Sequence, residues 1–148
     1  MKVGDIMTRD VVTAGPDTGV EAIARMMLER HIGAVPIVDS ERRLVGILSD
    51  HDILRHPPKD SPRAWWLRLF DERAVCLEEI ATAKHRVARD VMARRVTTVS
   101  DDTPVGILGS LMRRRKLKHV PVLHKGKLVG MVSRADLLHA LMKSCETV

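Results

Sequence analysis

A chain of 148 residues that is 45% hydrophobic can bury one packed core or two small ones, which excludes a disordered chain. Aromatic residues make up only 2%, so the core must be aliphatic. Lys and Arg outnumber Asp and Glu by 25 to 19, a net charge of +6, which favours anionic partners such as nucleotides, nucleic acid or a membrane surface without choosing among them; a solvated basic surface explains it as well.

In chain order, Val11-Val12-Thr13 reads as a short strand and Gly15-Pro16-Asp17 as a turn. Thr18 and Glu21 have capping-box spacing, and Val20, Ile23, Ala24, Met27 and Leu28 recur on one helical face up to about His31-Ile32-Gly33. Residues 34–38 and 44–48 are β-branched apolar runs around a polar turn and read as a hairpin. Pro36 lacks a donor, so its nitrogen should face away from a ladder partner. Ser49 and Asp52 then open a helix with capping-box spacing.

The same order returns further on. Asp5-Ile6-Met7 recurs as Asp90-Val91-Met92, and Val35-Pro36-Ile37-Val38 as Val120-Pro121-Val122-Leu123. Leu44-Val45-Gly46-Ile47-Leu48-Ser49 recurs as Leu128-Val129-Gly130-Met131-Val132-Ser133, each followed by two residues and then Asp52 or Asp136. Residues 97–99 form the second short strand, Thr103 is the N-cap before Pro104, and Val105, Leu108, Leu111 and Met112 are the buried stripe of the next helix. A second hairpin turns at Lys125-Gly126, and residues 134–143 close the chain as a helix. A repeat of this kind predicts two similar units, each strand, helix, strand, strand, helix, and two similar clefts.

The join between repeats matches neither. Pro57-Pro58, Ser61 and Pro62 mark a loop; Trp65, Trp66, Leu69 and Phe70 fit a short amphipathic helix, and residues 75–83 fit another. The rings cover a core edge, build a dimer contact or bind a partner. The spacing of Cys76 and Cys145 matches no metal site or disulfide framework. No stretch approaches the roughly 18 apolar residues of a bilayer span, and no apolar signal-peptide run follows Met1-Lys2-Val3-Gly4-Asp5. The expectation is a reduced, cytoplasmic protein with no metal.

These motifs resemble the cystathionine β-synthase (CBS) domain in tandem, the Bateman module. The likeness covers residues 3–55 and 87–142, and the Trp-Trp segment is similar to the linker of bacterial CBS pairs that carry a BON domain. No BON sequence occurs within the 148 residues, so a piece of a longer chain and a natural short form both stay open. The implied fold is α/β (α+β): two β-α-β-β-α repeats at residues 1–56 and 87–144, packed with pseudo-two-fold symmetry and joined by a linker with short helices at 57–86. The resemblance also implies two clefts that bind adenosyl ligands (AMP, ADP, ATP or S-adenosylmethionine), no required cofactor, and a homodimer.

By that resemblance one cleft combines Ser133, Ala135 and Asp136 with Thr18, Ile23, Ile32, Gly33 and Ala34. The other combines Ser49, His51 and Asp52 with Thr103, Leu108, Leu117, Lys118 and His119. Each Asp would accept from the two ribose hydroxyls, and the helix N-terminus beside it would face phosphate. Ser-x-x-Asp is equally a plain helix cap. Lys118-His119 against Gly33-Ala34, and His51 against Ala135, make the two sites unequal.

The leading function is therefore a non-catalytic regulatory module that binds an adenosyl ligand, changes shape and acts on an unidentified regulated protein. A constitutive homodimerisation module with degenerate clefts is the alternative. A nucleic-acid-binding protein ranks third, since the basic run Arg113-Arg114-Arg115-Lys116 comes with no helix-turn-helix or RNA-binding signature. No nucleophile–base pair, metal cluster or Gly-rich phosphate loop argues for an enzyme or for membrane attachment.

Overall fold

The computed structural model describes residues 1–55 and 86–146. The expected linker helices with Trp65, Trp66, Leu69 and Phe70, and Cys76, lie outside the described residues. In chain order the described elements are α1 (Val3–Ile6), α2 (Val20–Arg30), β1 (Ala34–Val38), β2 (Leu44–Ser49), α3 (Asp50–Arg55), α4 (Ala88–Val91), β3 (Val99–Ser100), α5 (Val105–Arg115), β4 (His119–His124), β5 (Lys127–Ser133) and α6 (Arg134–Glu146). They form a mixed α+β fold with two small sheets, β1-β2 and β3-β4-β5.

The leading strand of each repeat is shorter than the apolar runs suggest, and lies later in the chain. It is the two residues of β3, paired in parallel with Val122 and Leu123, and in the first repeat only a parallel bridge from Ala14 to Ile37. The Asp-Ile-Met motifs, by contrast, open one-turn helices. Asp5 accepts the Lys2 N–H at 2.8 Å and Asp90 accepts the Val87 N–H at 3.2 Å, so each carboxylate satisfies the N–H in front of its own helix.

The capping assignments on the two long helices need correction. α2 begins after Gly19 and α5 after Pro104, neither with a side-chain cap. The Thr18 hydroxyl accepts the Gly15 N–H at 3.0 Å, and the Thr103 hydroxyl accepts the Ser100 N–H at 3.2 Å. Both threonines therefore close the preceding turn. Glu21 instead pairs with Arg25 one helical turn on, at 2.9 Å. In the second repeat the same turn is tied to β4 by His124, whose Nδ1 lies 3.0 Å from Asp101 Oδ1. That hydrogen bond holds the Asp101 carboxyl below its ordinary range.

The described residues divide into two compact units. Unit 1 gathers those within Met1–Val12, Glu41–Leu44 and Val96–Val148; unit 2 gathers those within Thr13–Ser40 and Val45–Arg95. The leading helix of each repeat thus belongs to the unit that holds the other repeat's sheet. In unit 1, Val3 and Met7 join Val99, Leu108, Met112, Val120, Val122 and Val132 in one core. In unit 2, Ala88, Val91 and Met92 join Ala14, Ile23, Met27, Val35, Ile37 and Leu48.

Three contacts fix this exchange, and each occurs twice. The Thr103 carbonyl accepts the Val3 N–H at 2.8 Å, and the Thr18 carbonyl accepts the Ala88 N–H at 2.8 Å, each serving the N-terminus of a leading helix. Thr8 exchanges both backbone hydrogen bonds with Met131, at 2.8 and 2.9 Å, and Ala93 does the same with Ile47, at 3.0 and 2.9 Å. Met131 stands opposite Pro121 in the antiparallel β4-β5 pair. Its N–H and C=O point outward to Thr8, so Pro121 is asked for no N–H by its partner in β5.

The third contact explains the glycine of Leu-Val-Gly. A Cβ on Gly46 would stand 2.5 Å from the Met92 sulfur and 2.9 Å from the Ala93 carbonyl oxygen. On Gly130 it would stand 2.5 Å from the Met7 sulfur and 3.0 Å from the Thr8 oxygen. The side chain can bend away, but the carbonyl belongs to the paired backbone. Gly46→Ala and Gly130→Ala are each expected to cost about 1–3 kcal/mol by overpacking. This should read as a lower urea midpoint at unchanged slope; an unchanged midpoint would mean that the leading segment does not press on the glycine.

Candidate functional site

In both units the strand that ends in Ser runs directly into a helix. Ser49 precedes α3 and Ser133 precedes α6. Asp52 Oδ2 accepts the Ser49 N–H at 3.0 Å and the Ser49 hydroxyl at 2.9 Å, while the Asp52 N–H donates to the Ser49 hydroxyl at 3.1 Å. Asp136 repeats this with Ser133 at 2.7, 2.9 and 3.2 Å. The capping reading of Ser-x-x-Asp is therefore met, with Asp in the role usual for Glu.

The capping leaves half of each carboxylate over. Both hydrogen bonds that each carboxylate accepts end on Oδ2, and Oδ1 of Asp52 and of Asp136 has no partner among the described residues. Both side chains are half-buried. An anionic oxygen held in a fixed orientation and short of hydrogen bonds is a ready acceptor for hydroxyl groups.

The start of the preceding strand lies beside each cap. The Gly33 carbonyl accepts the Asp50 N–H at 3.0 Å, and the Lys118 carbonyl accepts the Arg134 N–H at 3.0 Å. Unit 2 thereby brings Gly33 and Ala34 to the end that holds Ser49, His51 and Asp52. Unit 1 brings Lys118 and His119 to the end that holds Ser133, Ala135 and Asp136; His119 and Ser133 are register partners. The helix before each strand ends alike: His31 and Lys116 adopt left-handed φ of 52° and 54°, and the Ile32 and Leu117 N–H groups bond back to Met27 and Met112. Ile32 and Leu117 are partly buried and pack against their cores.

The remaining candidates divide by exposure. His51, Lys118 and Ala135 are exposed. Thr18 and Thr103 are half-buried, and each hydroxyl, already an acceptor in its turn, keeps its hydrogen for another partner. Ile23 and Leu108 are 0% exposed, so they pack their helices from beneath and present no surface to a ligand. Asp50 and Arg134, which tie each helix to the neighbouring strand and differ in charge, escape a motif reading because they fill a variable position between Ser and Asp. Among the described residues no His, Cys, Asp and Glu cluster could hold a metal, and no helix is long and apolar enough to cross a membrane.

A duplicated sheet-and-helix unit with an Asp-capped helix after a Val-Gly strand defines a class, and the comparisons name it. The CBS domain family matches residues 3–59 and 88–143, and the chain belongs to that family. A CBS domain-containing protein of Dictyostelium discoideum is 32% identical over 147 residues, which span 99% of this chain and 94% of that protein. The solved CBS domain of a CBS domain-containing membrane protein from Sphaerobacter thermophilus is 33% identical, with a TM-score of 0.76 over 94% of this chain and 86% of that one. A structure of CBSX2, a protein of Arabidopsis thaliana, in complex with AMP is 25% identical, with a TM-score of 0.77 over 97% of each chain.

The cap can be separated from the free oxygen by mutation. Ser49→Ala and Ser133→Ala each remove a hydroxyl cap and leave Oδ1 in place. Each is expected to cost about 1 kcal/mol, read by thermal denaturation; no loss would show that the Asp-to-backbone bond alone sustains the helix start.

Proposed function

We propose that this chain is a regulatory, non-catalytic CBS pair that binds adenosyl ligands and signals by a change of shape. AMP, ADP, ATP and S-adenosylmethionine are the candidate ligands. The observation that carries the reading is the unused Oδ1 of Asp52 and Asp136: a cap alone needs one carboxylate oxygen, and a ribose diol needs an acceptor beside it. The complex of CBSX2 with AMP supports the ligand class. The proposed ligand residues are Thr18, Ile32, Gly33, Ala34, Ser49, His51 and Asp52 in unit 2, and Thr103, Leu117, Lys118, His119, Ser133, Ala135 and Asp136 in unit 1. Ile23 and Leu108 shape these sets from beneath. The ligand moves the protein only by its difference in affinity for two shapes.

Thermal shift tests this directly. At about 100 times its Kd a ligand adds about 2.7 kcal/mol of stability, a clear rise in Tm. Asp52→Ala and Asp136→Ala should each lose one binding event, and the double variant both. If no adenosyl ligand raises Tm up to millimolar concentration, the homodimerisation reading takes over. If both single variants bind as the parent does, the ribose role is wrong.

We also propose that the chain is a homodimer. Leu138, Leu141 and Met142 follow helical i, i+3, i+4 spacing on α6 and are 60%, 53% and 58% exposed, and Ile107 on α5 is 57% exposed. Light scattering at micromolar concentration should give twice the chain mass, and Leu138→Glu with Leu141→Glu should give the monomer mass. A monomeric parent chain removes the proposal.

A further inference from the structure

The two repeats are each other's control. Positions that do the same structural work should carry similar residues unless one copy does something more. At one end of unit 1 the residues depart from this in charge. The last turn of α5 and its cap carry Arg113, Arg114, Arg115 and Lys116, where the equivalent end of α2 has Leu28, Glu29, Arg30 and His31. Lys118 stands where the first repeat has Gly33, and Arg134 where it has Asp50. The Lys118–Arg134 backbone bond brings these two to the same end as the helix terminus.

All six cations are exposed, and none has a hydrogen bond or ion pair from its side chain to another described residue. The matching six positions of the first repeat sum to −1: Arg30 against Glu29 and Asp50. The fold does not need the charge, because α2 has the same length of 11 residues and the same left-handed cap without it. A helix C-terminus favours cations by only about 0.3–1 kcal/mol, which one residue such as Arg30 supplies. Setting the six aside leaves 19 Lys and Arg against the 19 Asp and Glu, so these six cations match the net charge of the chain in number.

Its chemistry selects the partner. Neither a protein interface nor an inserting membrane surface fits well, since both use apolar or aromatic anchors and no exposed large apolar residue lies within 113–118 or at 134. Single-stranded nucleic acid binds on stacking rings, and no Phe, Trp or Tyr occurs within 113–118 or at 134. A regular array of phosphates needs cations alone, and four of the six are Arg, whose planar fork pairs with phosphate oxygens two at a time.

We propose that this basic end of unit 1 docks on the phosphate backbone of duplex nucleic acid, without reading its sequence. Arg113, Arg114, Arg115 and Lys116 lie outside the proposed adenosyl residues, which share only Lys118 with this contact.

The test is fluorescence anisotropy of the full chain with a labelled random-sequence duplex of about 20 base pairs. Up to six neutralised phosphates set a limiting slope of log K against log salt of about −5. The triple variant Arg114→Gln, Arg115→Gln, Lys116→Gln should flatten that slope by about 3 and weaken binding at least about ten-fold at 0.1 M salt. Lys118→Gln with Arg134→Gln, checked for an unchanged Tm, should weaken it in the same sense. Arg30→Gln, at the position in the first repeat that matches Arg115, should change nothing. No duplex binding at about 50 mM salt, or a triple variant that binds as the parent does, overturns the proposal. Stronger binding to single strands, polyglutamate, polyphosphate or anionic vesicles than to duplex overturns it too.

Discussion

The structure depends on a close approach between two duplicated motifs. The methionine of each Asp-Ile/Val-Met segment lies over the glycine of the other repeat's Leu-Val-Gly strand, where no side chain has room. Around that contact the leading segment finds donors and acceptors for its backbone, on a turn at one end and on the strand at the other. Neither repeat is complete without the other's first residues. A unit of this size alone would bury a marginal core; the borrowed segment adds Val3 and Met7 to one core and Ala88, Val91 and Met92 to the other. Burying a Val or Met side chain is worth about 1.5–3 kcal/mol.

The candidate site follows from this framework. Once the strand is held on both edges, its end delivers Ser49 or Ser133 to a helix start in a fixed pose. The carboxylate three residues on is then committed through one oxygen and free through the other. Stability and binding are therefore not rival explanations of Asp52 and Asp136. The cap orients the carboxylate and removes its rotamer entropy before any ligand arrives, which lowers the cost of binding.

Much of this was legible in the residues. Periodicity placed the long helices, β-branched runs placed the hairpins, and Ser-x-x-Asp spacing gave the caps, because each rests on neighbours in sequence. The misread features are those set by distant partners. Val11-Val12-Thr13 looks like a strand, but pairing falls on Ala14, where Ile37 is in register. Thr18 and Thr103 look like helix caps, yet their hydroxyls close the preceding turn and their carbonyls hold the other repeat's leading helix. The exchange itself is invisible in a single sequence, since each motif reads equally well beside its own repeat. The two repeats differ at Gly33 against Lys118 and at Asp50 against Arg134, where each strand start meets its capped helix. Because the twin positions fold alike, those differences speak of what each end meets rather than of how it folds.

The central claim is that a fixed carboxylate oxygen accepts ribose hydroxyls, and it can be tested from the ligand's side. Calorimetric titration of the intact chain with AMP and with 2′,3′-dideoxy-AMP compares two ligands that differ only in those hydroxyls. Loss of hydrogen bonds to a charged acceptor predicts binding about a hundred-fold weaker for the dideoxy ligand. Equal affinity for the two would contradict the account.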